Sequence, residues 1–152
     1  MEIKFLDSRL TEFSPATDLS AGYDLRACIN KAIFIAPGSQ EKIKTGISLH
    51  MGDMFYDDDI HVLPCAIIMP RSGLGCKGVK PRNTPGLIDA DYQGEIIVCL
   101  YNEGSESVHI QPMDRIAQLV FTIALHPKFE VVTEFSNETE RGENGFGSTG
   151  KQ

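Results

Sequence analysis

The sequence lacks the features that mark several whole classes of protein. Its four cysteines, Cys28, Cys65, Cys76 and Cys99, form no CxxC pair. That argues against a zinc knuckle or a redox dithiol and leaves reduced, structural thiols. The four histidines, His50, His61, His109 and His126, are equally scattered, so no His-based metal centre is expected. Positive charge is scarce: 14 Lys and Arg stand against 21 Asp and Glu, for a net charge of −7. An acidic chain has no electrostatic footprint for long nucleic acid, which needs clustered Lys and Arg. It can still hold a small polyanion where a few arginines, backbone amides and a divalent cation gather. The apolar runs, such as "AIIMP", "IIVCL" and "IAQLVF", fall far short of the ~20 residues that cross a bilayer as a helix. There is no basic, apolar leader either. Together these absences predict a soluble, cytoplasmic protein that binds neither membrane nor polymeric nucleic acid. No internal repeat is visible, and no 3.6-residue periodicity is sustained beyond about three turns.

What remains is a chain of 152 residues, 41% hydrophobic and 23% charged, suited to one domain with a proper core. Gly, Pro, Asn or Asp interrupt it roughly every 8 to 12 residues, and the stretches between read as short strands. They are "EIKFLD", "KAIFIAPG", "EKIKTGISLHM", "IHVLPCAIIMP", "GEIIVCLYNEG", "ESVHIQPMD", "RIAQLVFTIAL" and "KFEVVTEF". Ile116, Leu119, Val120 and Ile123 also fit a helical face, but the β-branched content and the preceding Pro112 favour a strand. Such a pattern predicts an all-β sandwich or barrel. Residues 51–61, "MGDMFYDDDIH", break the rhythm. Asp57, Asp58 and Asp59 could chelate a cation, yet consecutive side chains do not converge, and an exposed acidic loop is expected.

Five stretches carry candidate chemistry. In "AGYDLRA" (21–27) Asp24 sits between bulky neighbours, as a structural acceptor or a deliberate charge. In "MPRSGLG" (69–75) a Gly-flanked turn offers the Arg71 guanidinium, the Ser72 hydroxyl and adjacent amides to phosphate oxygens, though a purely structural turn reads the same way. "NTPGLIDADYQGE" (83–95) follows a turn dipeptide, Pro85-Gly86, with Asp89 and Asp91. In extended geometry those two acids share a face. The stretch is either a hairpin with ordinary solvated acids or a place where Asn83, a carboxylate and Tyr92 hold a base, a water and a sugar. "PMDRIAQLVF" (112–121) sets Arg115 and Gln118 in an apolar run, where each needs a specific partner. Last, "RGENGFGSTG" (141–150) is too polar to bury a core and Gly-rich enough to lose much entropy when fixed. Its one aromatic, Phe146 between Gly145 and Gly147, suits a segment that closes over something flat and charged.

These five segments, in this order, resemble the trimeric dUTP pyrophosphatase (dUTPase) family, and the resemblance spans residues 21–150. It implies a jelly-roll β-sandwich, dUTPase-like, assembled as a homotrimer. Residues 1–152 would form one domain: a β core over 1–138 and a mobile C-terminal arm over 139–152 that closes on an active site elsewhere in the trimer. The implied reaction is Mg²⁺-dependent hydrolysis of dUTP to dUMP and pyrophosphate, by water attack on the α-phosphorus. Such a dUTP diphosphatase keeps uracil out of DNA and supplies dUMP for dTMP synthesis.

By the same resemblance Asp89 is the base that activates the water. Asn83, with the backbone around Gly86 and Ile88, reads the uracil edge. Tyr92 lies under the deoxyribose and refuses a 2′-hydroxyl, while Phe146 stacks on the base. Arg71, Ser72, Gly73 and Gln118 hold phosphates, joined from the arm by Arg141, Gly147, Ser148 and Thr149. Mg²⁺ rides on the triphosphate, and Asp24 reaches it through water. Residues 52–61 look like an insertion, and "CKGVKPR" is shorter than the family's usual stretch and lacks its His. A dUTP-binding regulatory module of the same fold, docking a partner on that insertion, is the alternative function. A dCTP deaminase relative is a more distant one.

Overall fold

Alternation sets the strands. In "EIIVCLYN" the residues Ile96, Val98, Leu100 and Asn102 are buried and the intervening ones face outward, as a half-covered strand requires. The computed structural model describes residues 1–52, 55–57 and 60–143. In chain order its elements are β1 (Glu2–Phe5), β2 (Tyr23–Arg26), β3 (Ile33–Ile35), β4 (Gln40–His50), β5 (Phe55–Asp57) and β6 (Ile60–Met69). There follow a one-turn helix α1 (Ser72–Gly75), β7 (Val79–Pro81), β8 (Gly86–Ile88), β9 (Glu95–Asn102), β10 (Val108–Ile110) and β11 (Arg115–Pro127). The all-β expectation holds, and the ambiguous run after Pro112 is a strand, β11.

All strand pairings are antiparallel. One sheet runs β1-β4-β9-β7, and a second runs β2-β11-β6, with β5 and β8 both on the far edge of β6. A small third sheet pairs β3 with β10. All three contribute to one apolar cluster: Ile43, Ile47, Val98 and Leu100 from the first, Leu25, Ala66, Ile68 and Leu119 from the second, Ile35 and Ile110 from the third. This is a sandwich, in which burying the two inner faces against each other supplies the main driving force. Asn102 is fully buried, and its side chain is satisfied throughout. Nδ2 donates to Ile35 O and Glu106 O, both at 2.8 Å, and Oδ1 accepts from Gly104 N–H at 2.9 Å, tying β9 to the small sheet.

Two sequence expectations are corrected. "KFEVVTEF" is not a strand: after Pro127 the described chain pairs with nothing regular, and Phe129, Val131 and Phe135 are 87%, 98% and 92% exposed. A strand pattern forms a strand only where a partner edge exists, and within one chain this segment has none. Nor is "NTPGLIDADYQGE" a hairpin. β8 pairs with β6 in one sheet and β9 with β4 and β7 in the other, so the segment between them crosses the sandwich. Of the acidic run, Asp58 and Asp59 lie outside the described residues. Among the described residues no helix is long and apolar enough to cross a membrane.

Candidate active site

The first cluster lies where β2, β11 and the end of β6 meet. Asp24 on β2 stands opposite Gln118 on β11, so both side chains share a face. Gln118 Nε2 donates to the Pro70 carbonyl at 2.9 Å, anchoring the turn into α1. It can do so because residue 22 is glycine: a Cβ there would come within 2.4 Å of Gln118 Oε1. Arg71 follows at once and pairs with Asp24 Oδ1, while Arg115 donates from Nη1 to Asp24 Oδ2 at 3.2 Å. Partial burial and then the neighbouring Arg115 charge pull Arg71 below the ordinary guanidinium value. Ser72 and Gly73 form the exposed first turn of α1 beside it. Asp24, Arg71, Ser72 and Gln118 thus line one open cleft.

The second cluster is the crossing after β8. Gly86 is buried against Ile68, and a Cβ on it would press on Asn83 O and Nδ2 at 3.2 and 3.3 Å. Asn83 itself is exposed in the turn between β7 and β8. Ile88, half-buried, ends the strand. Asp89 to Tyr92 then form a turn closed by Tyr92 N–H donating to Asp89 O at 3.2 Å. Asp89 and Asp91 therefore do not share the face of an extended strand, as expected from their spacing, because the chain must bend there to change sheets. Tyr92 lays its ring over Gly94, where a Cβ would stand 2.5 Å from its Oη, and donates that hydroxyl to Glu95 O at 3.0 Å. From β4, the buried Ser48 and Thr45 donate to Gln93 O and Ile96 O, each at 2.6 Å, and fix the exit of the turn. Asp89 is exposed and lines a second cleft with His50, Cys65, Leu87, Asp91 and His126.

The two clusters are apart. Ile88 stands opposite Ala66, Asp89 continues past it in the direction of Cys65, and Arg71 lies five residues beyond Ala66 the other way. At about 3.3 Å per residue the separation is on the order of 20 Å. Along β8 one chain sets Asn83 and Gly86 at one end and Ile88, Asp89 and Tyr92 at the other, while Asp24, Arg71, Ser72, Gly73 and Gln118 gather beyond the end of β6, farthest from Asp89. Arg141 is exposed, in the turn where Gly142 N–H donates to Thr139 O at 3.0 Å. Phe146, Gly147, Ser148 and Thr149 lie outside the described residues. Among the described residues no three His, Cys, Asp or Glu side chains converge as a metal cage. Both oxygens of Asp24 are held by Arg71 and Arg115, so a cation could meet this carboxylate only when one arginine lets go.

The partner of Arg115 was not legible in the sequence. The arginine reads as a polar residue in need of one, but strict alternation sets it on the opposite face from Gln118, three residues on. Ser48 and Thr45 gave no signal at all, since a hydroxyl within a strand says nothing about which carbonyl it meets.

The dUTPase family model matches residues 9–150. The deoxyuridine 5′-triphosphate nucleotidohydrolase of Bordetella avium is 46% identical over 154 residues, covering 99% of this chain and 97% of that one. Its counterpart in Tolumonas auensis is 45% identical over 156 residues, with the same coverage. Among solved structures, the dUTPase of Staphylococcus bacteriophage 80alpha with dUPNHPP superposes with a TM-score of 0.80 at 24% identity, covering 99% of this chain and 98% of that chain. A dUTPase from phage phi11 of S. aureus, described with a structural Mg(II) ion, gives 0.70 at 18%, covering 90% and 98%. A match over nearly the whole length, on an antiparallel sandwich that carries both clusters, leaves one assignment: the chain belongs to the dUTPase family.

Proposed function

We propose that this protein hydrolyses dUTP to dUMP and pyrophosphate in sites shared between copies of the chain. The observation that carries the reading is the pair of clusters in a chain of this family. One is an exposed carboxylate, Asp89, on the turn with Tyr92 that follows β8, with Gly86 and Asn83 at the other end of that strand; the other is an arginine cleft about 20 Å from Asp89. The first has the parts to hold a base and sugar and to take a proton from water. The second has the parts to hold phosphates. A dUTP molecule must meet both, so a second copy supplies the cleft. The apolar stretch after Pro127, left exposed by one chain, supports assembly into a closed ring, and the family resemblance makes that ring a trimer.

In this reading Asn83 and the backbone at Gly86 and Ile88 accept from uracil N3–H and donate to its O4. Cytosine reverses both, which would leave buried groups unpaired and discriminate by about 10⁴-fold. Tyr92, held over Gly94, packs against the deoxyribose. Asp89 takes the proton of the water that attacks the α-phosphorus. Arg71, Ser72, Gly73 and Gln118 hold the phosphates. Mg²⁺ on the triphosphate, met by Asp24 through water, would neutralise charge that an acidic chain otherwise repels. Residues 139–152 act as the closing arm, with Phe146 on the base and Arg141, Gly147, Ser148 and Thr149 on the phosphates.

The test is pyrophosphate release from dUTP, dCTP, dTTP and UTP in the presence of Mg²⁺. Release from dUTP alone is expected; comparable release from dCTP would overturn the reading of the base edge. Removing residues 141–152 should preserve the circular dichroism spectrum and the oligomer yet lower kcat by about 10²-fold, since water is no longer excluded and the phosphates are less well oriented. A truncated chain with unchanged kcat would take the arm out of the mechanism.

A further inference from the structure

Two polar residues of "PMDRIAQLVF" have no part in the proposed reaction: Asp114, which accepts from Gln111 N–H at 2.7 Å and so closes the turn before β11, and Arg115. In an unbroken ladder Arg115 would face away from Gln118. The register instead runs Gln118↔Asp24 and Ala117↔Leu25, then shifts so that Arg115, and not Ile116, stands opposite Arg26. Directly opposed residues share a face. The bulge therefore turns Ile116 into the core, where it is 1% exposed, and carries Arg115 onto the face of Asp24. Re-aiming a side chain is what a bulge of this kind does.

The two arginines divide Asp24 between them: Arg71 takes Oδ1, and Arg115 takes Oδ2. If Arg71 goes to phosphate, it must release Oδ1. Asp24 then meets a triphosphate of its own sign, and only a second cation can keep it aimed and in place. We infer that Arg115 is a positioning residue that holds Asp24 by Oδ2, so that Oδ1 is presented to the hydrated cation on the triphosphate when Arg71 moves to the phosphates. This inference rests on the proposed dUTP reaction. On it, Arg115 touches neither substrate nor cation, and its effect runs through Asp24 alone.

Binding of a non-hydrolysable imido analogue of dUTP to the full-length chain, measured by calorimetry in Mg²⁺ and again in EDTA, tests it. The wild type should bind more tightly in Mg²⁺. Arg115→Gln should lose about tenfold of that gain while its affinity in EDTA stays within about twofold, because only the coupling between cation and analogue has been cut. Arg115→Lys, which keeps the charge, should recover part of the gain. An equal loss in both conditions would mean that Arg115 grips phosphate itself or merely supports the fold, and would overturn the inference. So would an unchanged Mg²⁺ gain in Arg115→Gln. A wild-type chain that binds no analogue would instead overturn the hydrolase reading and this inference with it.

Discussion

Asp89→Asn is expected to lower pyrophosphate release from dUTP by roughly 10³-fold or more, the range in which loss of a general base falls. The substitution keeps size and shape but removes the negative charge and, with it, the ability to take a proton. It should leave the turn intact, because Tyr92 N–H bonds to the main-chain oxygen of residue 89 and not to its side chain. The side chain is exposed, so no buried partner is orphaned. Affinity for the imido analogue should accordingly stay within about threefold, and the melting temperature should not move. Asp91→Asn supplies the control. It neutralises an acid in the same turn, so a general effect of local charge would appear in both variants, whereas a base would be lost in only one. Single-turnover rates with saturating dUTP separate chemistry from binding. A rate for Asp89→Asn within tenfold of the wild type would remove this carboxylate from the chemistry and return attention to Asp91.

The sandwich was legible wherever burial is one-sided. β9 alternates almost perfectly, and in β4 Ile43, Ile47 and Leu49 fall at a period of two, so strand identity there followed from the pleat, whereas β6 is a nearly continuous apolar run bounded by turn signals. Even β11, with its helix-like spacing, was decided by β-branched residues and a preceding proline. What stayed hidden depends on where a chain goes and not on what it is made of. The pattern of residues 128–135 promises a strand, but pairing needs an edge that one chain does not provide. The acids at 89 and 91 promise a shared face, but the chain turns there to reach the other sheet. Arg115 is the sharpest case, since a single inserted residue in the ladder reverses its face and gives it Asp24. The residue types of the candidate site could be picked out from five short stretches, each with its own chemistry. That the stretches fall into two groups on one chain could not, because sequence order interleaves them: 24, then 71–73, then 83–92, then 118.

Mixing two inactive variants should restore activity, and this is the most direct consequence of the 20 Å gap. Asp89→Asn lacks the base, and Arg71→Ala lacks a phosphate grip, so each alone should release little pyrophosphate. Arg71→Ala is expected to fold, because Arg115 still pairs with Asp24 when Arg71 is gone. If a site takes its carboxylate from one chain and its arginine from a neighbour, random assembly of equal amounts joins an intact Asp89 to an intact Arg71 in about one site in four. Co-refolded mixtures should then show about a quarter of wild-type kcat per site, on the order of 100-fold above either variant. If a single chain supplied both residues, every site in the mixture would carry one defect or the other, and activity would not rise above the sum of the parents. Recovery should also depend on subunit exchange: variants mixed as folded, non-exchanging oligomers should stay inactive until they are unfolded and refolded together. The mixture therefore tests the shared site without any structure of the assembly, using only the two residues that the fold keeps apart.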